Sequence, residues 1–183
     1  MIWISAISFA FLILIAFTDI KNRQIPIIYL LGETISSFYL GYILIGALIL
    51  KCAITNFLIM TFQILLLWVY IKLKYGKLGN SRWSKFGKGD VFMLAISAIN
   101  LSALNYLFFI VFVSITSILI WLGFSTIRKI NDQTIPFAGF LAVGLMAIRI
   151  LQLTVKGINF CSDNYILNLI YGIYWCDGAL YRA

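Results

Sequence analysis

Along this chain, apolar runs long enough to cross a bilayer alternate with short polar breaks, most of them basic, a pattern that predicts helices rather than strands. The runs place helices over 2–18, 27–50, 53–71, 91–104, 106–127 and 135–155. The fourth and fifth share one uncharged stretch from Val91 to Ile127, too long for a single span, and Asn100, Ser102 and Asn105 mark a polar turn inside it, which leaves the fourth helix short. The only two prolines, Pro26 and Pro136, each follow an isoleucine and open a run directly after a basic break. Proline suits a helix start because its missing N–H has no intrahelical partner there. The first run has no basic residue before it and no small-residue cleavage pattern ahead of Asp19, and it reads as a retained anchor.

Beyond residue 155 the pattern changes. Phe160, Tyr165, Tyr171, Tyr174 and Trp175 mix with Asp163 and Asp177, which predicts an interfacial tail over 156–183 rather than a seventh span. The expected architecture is all-α: a bundle of about six transmembrane helices over 1–155, followed by that tail.

Composition agrees with a membrane protein: 63% of the 183 residues are hydrophobic and 11% are charged, which excludes an ordinary soluble domain. The net charge of +8 does not indicate nucleic acid, because the basic residues fall between apolar runs instead of gathering on one soluble face. Lys21 and Arg23, then Lys72, Lys74, Lys77, Arg82, Lys85 and Lys88, then Arg128 and Lys129 follow the first, third and fifth helices. The opposite side holds Lys51, Lys156 and Arg182, with Arg149 deep enough in its helix to require snorkelling outward. The bias predicts a multi-pass protein of the cytoplasmic (inner) membrane with both termini extracytoplasmic. Anionic headgroups are the expected contact of the Lys72–Lys88 loop, at about 1 kcal/mol per basic residue.

The chain has no histidine, and Cys52, Cys161 and Cys176 lie far apart, so no metal-ligand spacing exists and no cofactor is expected. Cys161 and Cys176 both fall on the predicted oxidising side, where pairing between them is open.

Against that background the six acidic residues stand out. Asp19 ends the first run and Asp90, in Gly87-Lys88-Gly89-Asp90, opens the fourth, so the topology brings both carboxylates to the cytoplasmic border although they are far apart in sequence. Two carboxylates held together share a proton, and one then activates water while the other protonates a peptide carbonyl. A helix N-terminus favours an anion and a C-terminus an acid, which predicts Asp90 as the charged partner and Asp19 as the protonated one. Gly87 and Gly89 permit close backbone approach, as a peptide lying against the loop requires. A flexible loop ending in an N-capping aspartate accounts for the tetrapeptide equally well. Glu33, about two turns into the second helix, is a candidate either for substrate contact or for a hydrogen bond within the bundle.

Three stretches taken together, Asp19-Ile20-Lys21-Asn22-Arg23-Gln24-Ile25-Pro26, Gly87-Lys88-Gly89-Asp90 and Ile135-Pro136-Phe137-Ala138-Gly139, resemble the type IV prepilin peptidase family of membrane aspartic proteases over about residues 1–155. The resemblance implies that Asp19 and Asp90 are the catalytic pair. It also implies that the substrates are pilin-like precursors with a short basic leader. No CxxC motif is present, so the chain is similar to the short peptidase-only branch of Tad-type and preflagellin enzymes, without N-methyltransferase activity or S-adenosylmethionine. Presenilin and signal-peptide-peptidase enzymes share the Gly-x-Gly-Asp pattern but typically carry a Pro-Ala-Leu motif that this chain lacks. A small proton-coupled carrier, the alternative of a different class, normally shows repeated halves and midplane carboxylates.

Overall fold

The computed structural model describes residues 2–75, 87–128, 135–154 and 160–163. Within them six helices follow one another: α1 (Ile2–Asn22), α2 (Ile27–Ile45), α3 (Leu48–Tyr75), α4 (Lys88–Asn100), α5 (Ala103–Arg128) and α6 (Phe137–Thr154). Five of them, all but α4, are long and apolar enough to cross a membrane. The loop residues Lys77, Arg82 and Lys85, with Lys129, Lys156 and the tail beyond Asp163 including Cys176 and Arg182, lie outside the described residues.

The helix boundaries differ from the hydrophobic pattern where backbone chemistry overrides it. α2 stops at Ile45 because Gly46 takes a left-handed φ of 60° and returns its N–H to the Tyr42 carbonyl at 2.8 Å. Lys51, expected in a loop, therefore sits in the first turns of α3. α1 runs one turn further than its apolar run, which puts Asp19 inside its last turn. α4 begins at Lys88, making Asp90 a first-turn residue rather than a cap, and Gly87 occupies the cap position.

At 13 residues α4 is about 20 Å long. It lies inside the bundle, packed on α2, α3 and α6, with Met93, Leu94, Ile96, Ser97 and Ala98 buried. Met93, Leu94, Ile96 and Ala98 join a continuous core with Leu12 and Ile15 of α1, Tyr106 and Phe109 of α5, and Leu141 and Leu145 of α6. A helix that ends inside an apolar bundle must have its last carbonyls satisfied by protein. Asn56 of α3 does this, its amide donating to the Ala98 carbonyl at 2.9 Å and the Leu101 carbonyl at 2.6 Å, while the Cys161 thiol reaches the Asn100 carbonyl at 3.4 Å. The next helix is capped from the described part of the tail. The Ser102 N–H and the Asn105 amide donate to the Phe160 carbonyl, and the Leu104 N–H donates to Asp163 Oδ1 at 3.0 Å. Residues 160–163 thus form a plug at the end of the bundle.

α2 turns its polar stripe inward: Glu33, Ser36 and Ser37 are buried while Ile27, Ile28, Leu31 and Ile35 face outward. This inversion is expected where the surroundings are apolar. Glu33 is fully buried and pairs with Arg149 of α6 at 2.8 Å. Hydroxyls of Ser8, Ser36 and Ser37 donate to the same carboxylate, and the Arg149 guanidinium also donates to Ser37 and to Asn100 Oδ1. Arg149 therefore does not snorkel outward as its position suggested. The interior offers it three acceptors, and it is 7% exposed.

Breaking a buried pair from one side strands the other charge. Glu33→Ala is expected to destabilise the bundle by about 3–5 kcal/mol, and Glu33→Leu with Arg149→Met to unfold closer to the wild type than either single variant. Thermal denaturation of the detergent-solubilised proteins checks this; a double variant no more stable than Glu33→Ala would show that the pair is not what these residues contribute.

Candidate active site

The C-terminus of α1 and the N-termini of α4 and α6 converge at one end of the bundle. α1 ends in a left-handed turn: Arg23 has φ 56° and its N–H donates to the Asp19 carbonyl at 3.1 Å. Its guanidinium lies over the Trp121 ring of α5, 4.9 Å from the centroid, a cation–π contact that ties this turn to a second helix. The chain then runs through Gln24 and Ile25 to Pro26, which precedes α2.

Each helix start leaves backbone N–H groups without intrahelical partners. At α6, Pro136 has no N–H, and the Phe137 N–H turns back to the Ile135 carbonyl at 2.9 Å. The next two go to the aspartates: the Ala138 N–H donates to Asp90 Oδ1 at 2.8 Å and the Gly139 N–H to Asp19 Oδ2 at 2.6 Å. Consecutive amides of one helix thus hold both carboxylates side by side, and the N-terminal dipole adds to their stabilisation.

The glycines around the pair are required by space. At Gly87, whose φ of −68° is ordinary, a Cβ would meet Asp90 Oδ2 at 2.9 Å, and at Gly89 one would meet Ile25 at 2.9 Å. Gly139 lets α6 approach α1 closely, since a Cβ there would sit 3.2 Å from Asp19 Oδ2 and 3.3 Å from Ile20.

Asp19 and Asp90 line a cavity of about 500 Å³. Arg23 and Lys88 contribute cations to its wall, and Ile25, Leu30, Phe92 and Ile135 contribute apolar surface. Burial, and after it the Asp19 charge, pushes the Asp90 carboxyl up to about 6, while the amides of Ala138 and Gly87 pull it partly back. The division expected from helix ends alone makes Asp90 the anion. That expectation considered only the helix carrying each residue, whereas the α6 N-terminus faces both carboxylates and does not separate them. Asp90 lies against a neighbouring negative charge, and Asp19, 7% exposed, meets the charge of Asp90 in return, so the two titrate as a coupled pair.

The other candidate residues fall into two groups. Gly87, Lys88 and Gly89 line the cavity beside the aspartates, and Pro26 and Pro136 stand at helix starts as expected. Glu33 is not among the lining residues; it belongs to the Arg149 cluster, which selects the bundle-facing of its two readings. Missing from the sequence-based candidates were the amides of Ala138 and Gly139. The signal was present in Pro136, because a proline at a helix start implies free N–H groups two and three residues later. Arg23, counted there only as a topology charge, lines the cavity as well.

Gly139→Ala is expected to push α1 and α6 apart by a few tenths of an ångström, stretch the Gly139 to Asp19 hydrogen bond and cost about 1–3 kcal/mol of stability, with Gly139→Val costing more. Infrared spectroscopy of the carboxyl groups together with thermal denaturation checks this, an unchanged Asp19 band in a destabilised Gly139→Val protein being the contrary result.

Comparison with family models, with curated proteins and with solved structures finds no match to this chain.

Proposed function

We propose that this chain is a membrane aspartic endopeptidase that removes the short basic leader of type IV prepilin-like precursors, working at the cytoplasmic border of the membrane with Asp19 and Asp90 as its catalytic pair. The observation that carries the proposal is the gripping of both carboxylates by the adjacent amides of Ala138 and Gly139 at the wall of a cavity. The three motifs that resemble prepilin peptidases are the three segments that meet there. The pair lies at one end of the bundle, the level at which a bond just ahead of an apolar helix would be presented. Both termini then lie on the extracytoplasmic side, in keeping with the basic residues near this end.

In the proposed reaction a water molecule lies between the carboxylates. Asp19, ionised, takes a proton from the water as its oxygen attacks the scissile carbonyl, and Asp90, protonated, donates to the carbonyl oxygen. Collapse of the tetrahedral intermediate expels the new amino terminus, which takes a proton from Asp19, while one hydroxyl of the intermediate returns its proton to Asp90 as the carboxyl forms, restoring the starting pair. The upward displacement of Asp90 is what suits it to the acid role. No cofactor enters these steps, and methyl transfer to the new terminus is not part of the proposed activity.

The carrier alternative would need an intramembrane carboxylate available to a transported ion. Glu33 is the only one of that depth among the described residues, and it is engaged by Arg149 and three serine hydroxyls.

Co-expression of a prepilin with the wild type should yield the processed form, and Asp19→Asn or Asp90→Asn should lower cleavage by about three orders of magnitude or more. Full processing by either variant removes the dyad. The reaction needs one proton on the pair, and Asp90 holds it below about pH 6, so kcat/KM is expected to fall as pH rises above that value. In Asp19→Asn the neighbouring charge is gone, and the Asp90 carboxyl should titrate below 6. A carboxyl titration unmoved by that substitution would mean that the two aspartates are not coupled.

A further inference from the structure

Beside the catalytic cavity runs a second one, of about 580 Å³, between α3 and α5. Its walls are Gln63, Ile64 and Leu67 of α3, Leu94 of α4, and Ile110, Ser114, Ser117 and Ile118 of α5, and it is closed at one end by Ile135 and Phe137. Ile135 lines both cavities, so the end of the groove at the head of α6 shares a wall with the cavity that holds the aspartates. From Ile118 to Ile110 it follows about 12 Å of α5, roughly two helical turns leading away from the catalytic end. α3 packs mainly on α4 and touches α5 only sparsely, which is what leaves the groove.

The lining is apolar except for one amide and two hydroxyls. The Ser117 hydroxyl is spent on the Ser114 carbonyl at 2.9 Å. The Gln63 amide, in the middle of a membrane-length helix, has no hydrogen-bond partner among the described residues. A groove of this length and composition, ending at a wall shared with the aspartate cavity, matches a substrate whose apolar helix begins just beyond the scissile bond.

We propose that the α3/α5 groove seats the first two turns of the precursor's apolar helix and thereby registers the scissile bond against Asp19 and Asp90. This rests on the peptidase reading given above. The groove supplies binding shared by ground state and transition state, so its loss appears in KM rather than in kcat. It also accounts for the selection of membrane-anchored precursors over free leader peptides, because a peptide ending shortly after the scissile bond has nothing to place there.

The test compares two substrates in detergent micelles: a full precursor, and a soluble peptide that spans the cleavage site but lacks the helix. Ser114→Trp fills the groove from α5 and Leu67→Trp fills it from α3. Each is expected to raise KM for the full precursor about tenfold while leaving kcat and cleavage of the short peptide within about twofold of wild type. Independently, a precursor carrying a photo-reactive residue in the second turn of its helix is expected to cross-link to wild-type α3 and α5 at positions lining the groove. Adducts only elsewhere, adducts on lipid acyl chains alone, or an unchanged KM in both folded variants would overturn the proposal. If wild-type protein cleaves neither substrate, the peptidase reading itself fails. If it cleaves both and the variants do not discriminate between them, only the groove assignment fails.

Discussion

The structure depends on the first turn of α6. A helix beginning inside or at the edge of an apolar medium cannot leave its N-terminal amides bare, and among the described residues the partners offered to two of them are the carboxylates of Asp19 and Asp90. This reciprocal need fixes three helix ends at once: α1 must finish, and α4 and α6 must start, within hydrogen-bond reach of the same pair of atoms. A second tie lies further along the same helices. Ser8, Asn100 and Arg149, which join the Glu33 cluster, stand ten or eleven residues from Asp19, Asp90 and Ala138, or about 16 Å at the α-helical rise. Two polar ties at separate levels hold α1, α4 and α6 in register where apolar packing alone would let them slide.

The short length of α4 becomes possible only with help from elsewhere in the chain. It ends well inside the bundle, and its terminal carbonyls would be orphaned without Asn56 and the Cys161 thiol. The same segment that brings Cys161 caps the start of α5 with Asp163 and with the carbonyls of Phe160 and Ser162. Burial raises the Cys161 thiol to about 11, so it acts there as a neutral donor rather than as a thiolate. The far end of the molecule thus supports the end that carries the aspartates: by closing α4 from behind, it permits Asp90 to ride on a helix that need not cross the whole bilayer.

Much of this is legible in the residues themselves. Uninterrupted apolar runs reveal the helices because lipid-facing sides must be apolar, and Asn100 with Ser102 betrays the break between α4 and α5 because polar side chains at that depth need a turn to serve. The convergence of Asp19, Asp90 and the Ile135-Pro136 entry follows from counting crossings. Less legible was anything decided by a partner distant in sequence. Gly46 lies in an apolar stretch and announces no turn until its left-handed φ is seen. Arg149, read by its depth alone, was assigned to the surface; nothing local shows that Glu33 waits for it across the bundle. The proton's place within the pair is likewise not legible locally, since the dipole acting on each aspartate comes from a third helix.

Glu33 and the aspartates show how the same functional group acquires opposite fates. Glu33 has both oxygens engaged by a fixed guanidinium and by hydroxyls of Ser8, Ser36 and Ser37, so its charge is compensated and little remains with which to handle a proton. Asp19 and Asp90 receive backbone amides, with the Arg23 and Lys88 cations in the same cavity wall, and each lies against the other's negative charge. Enough stabilisation is supplied to keep them in place, while the Asp90 carboxyl is held up at about 6. That leaves the pair able to share a proton, which the proposed hydrolysis requires; a lysine or arginine partner in place of an amide of α6 would hold both carboxylates as anions and remove that proton.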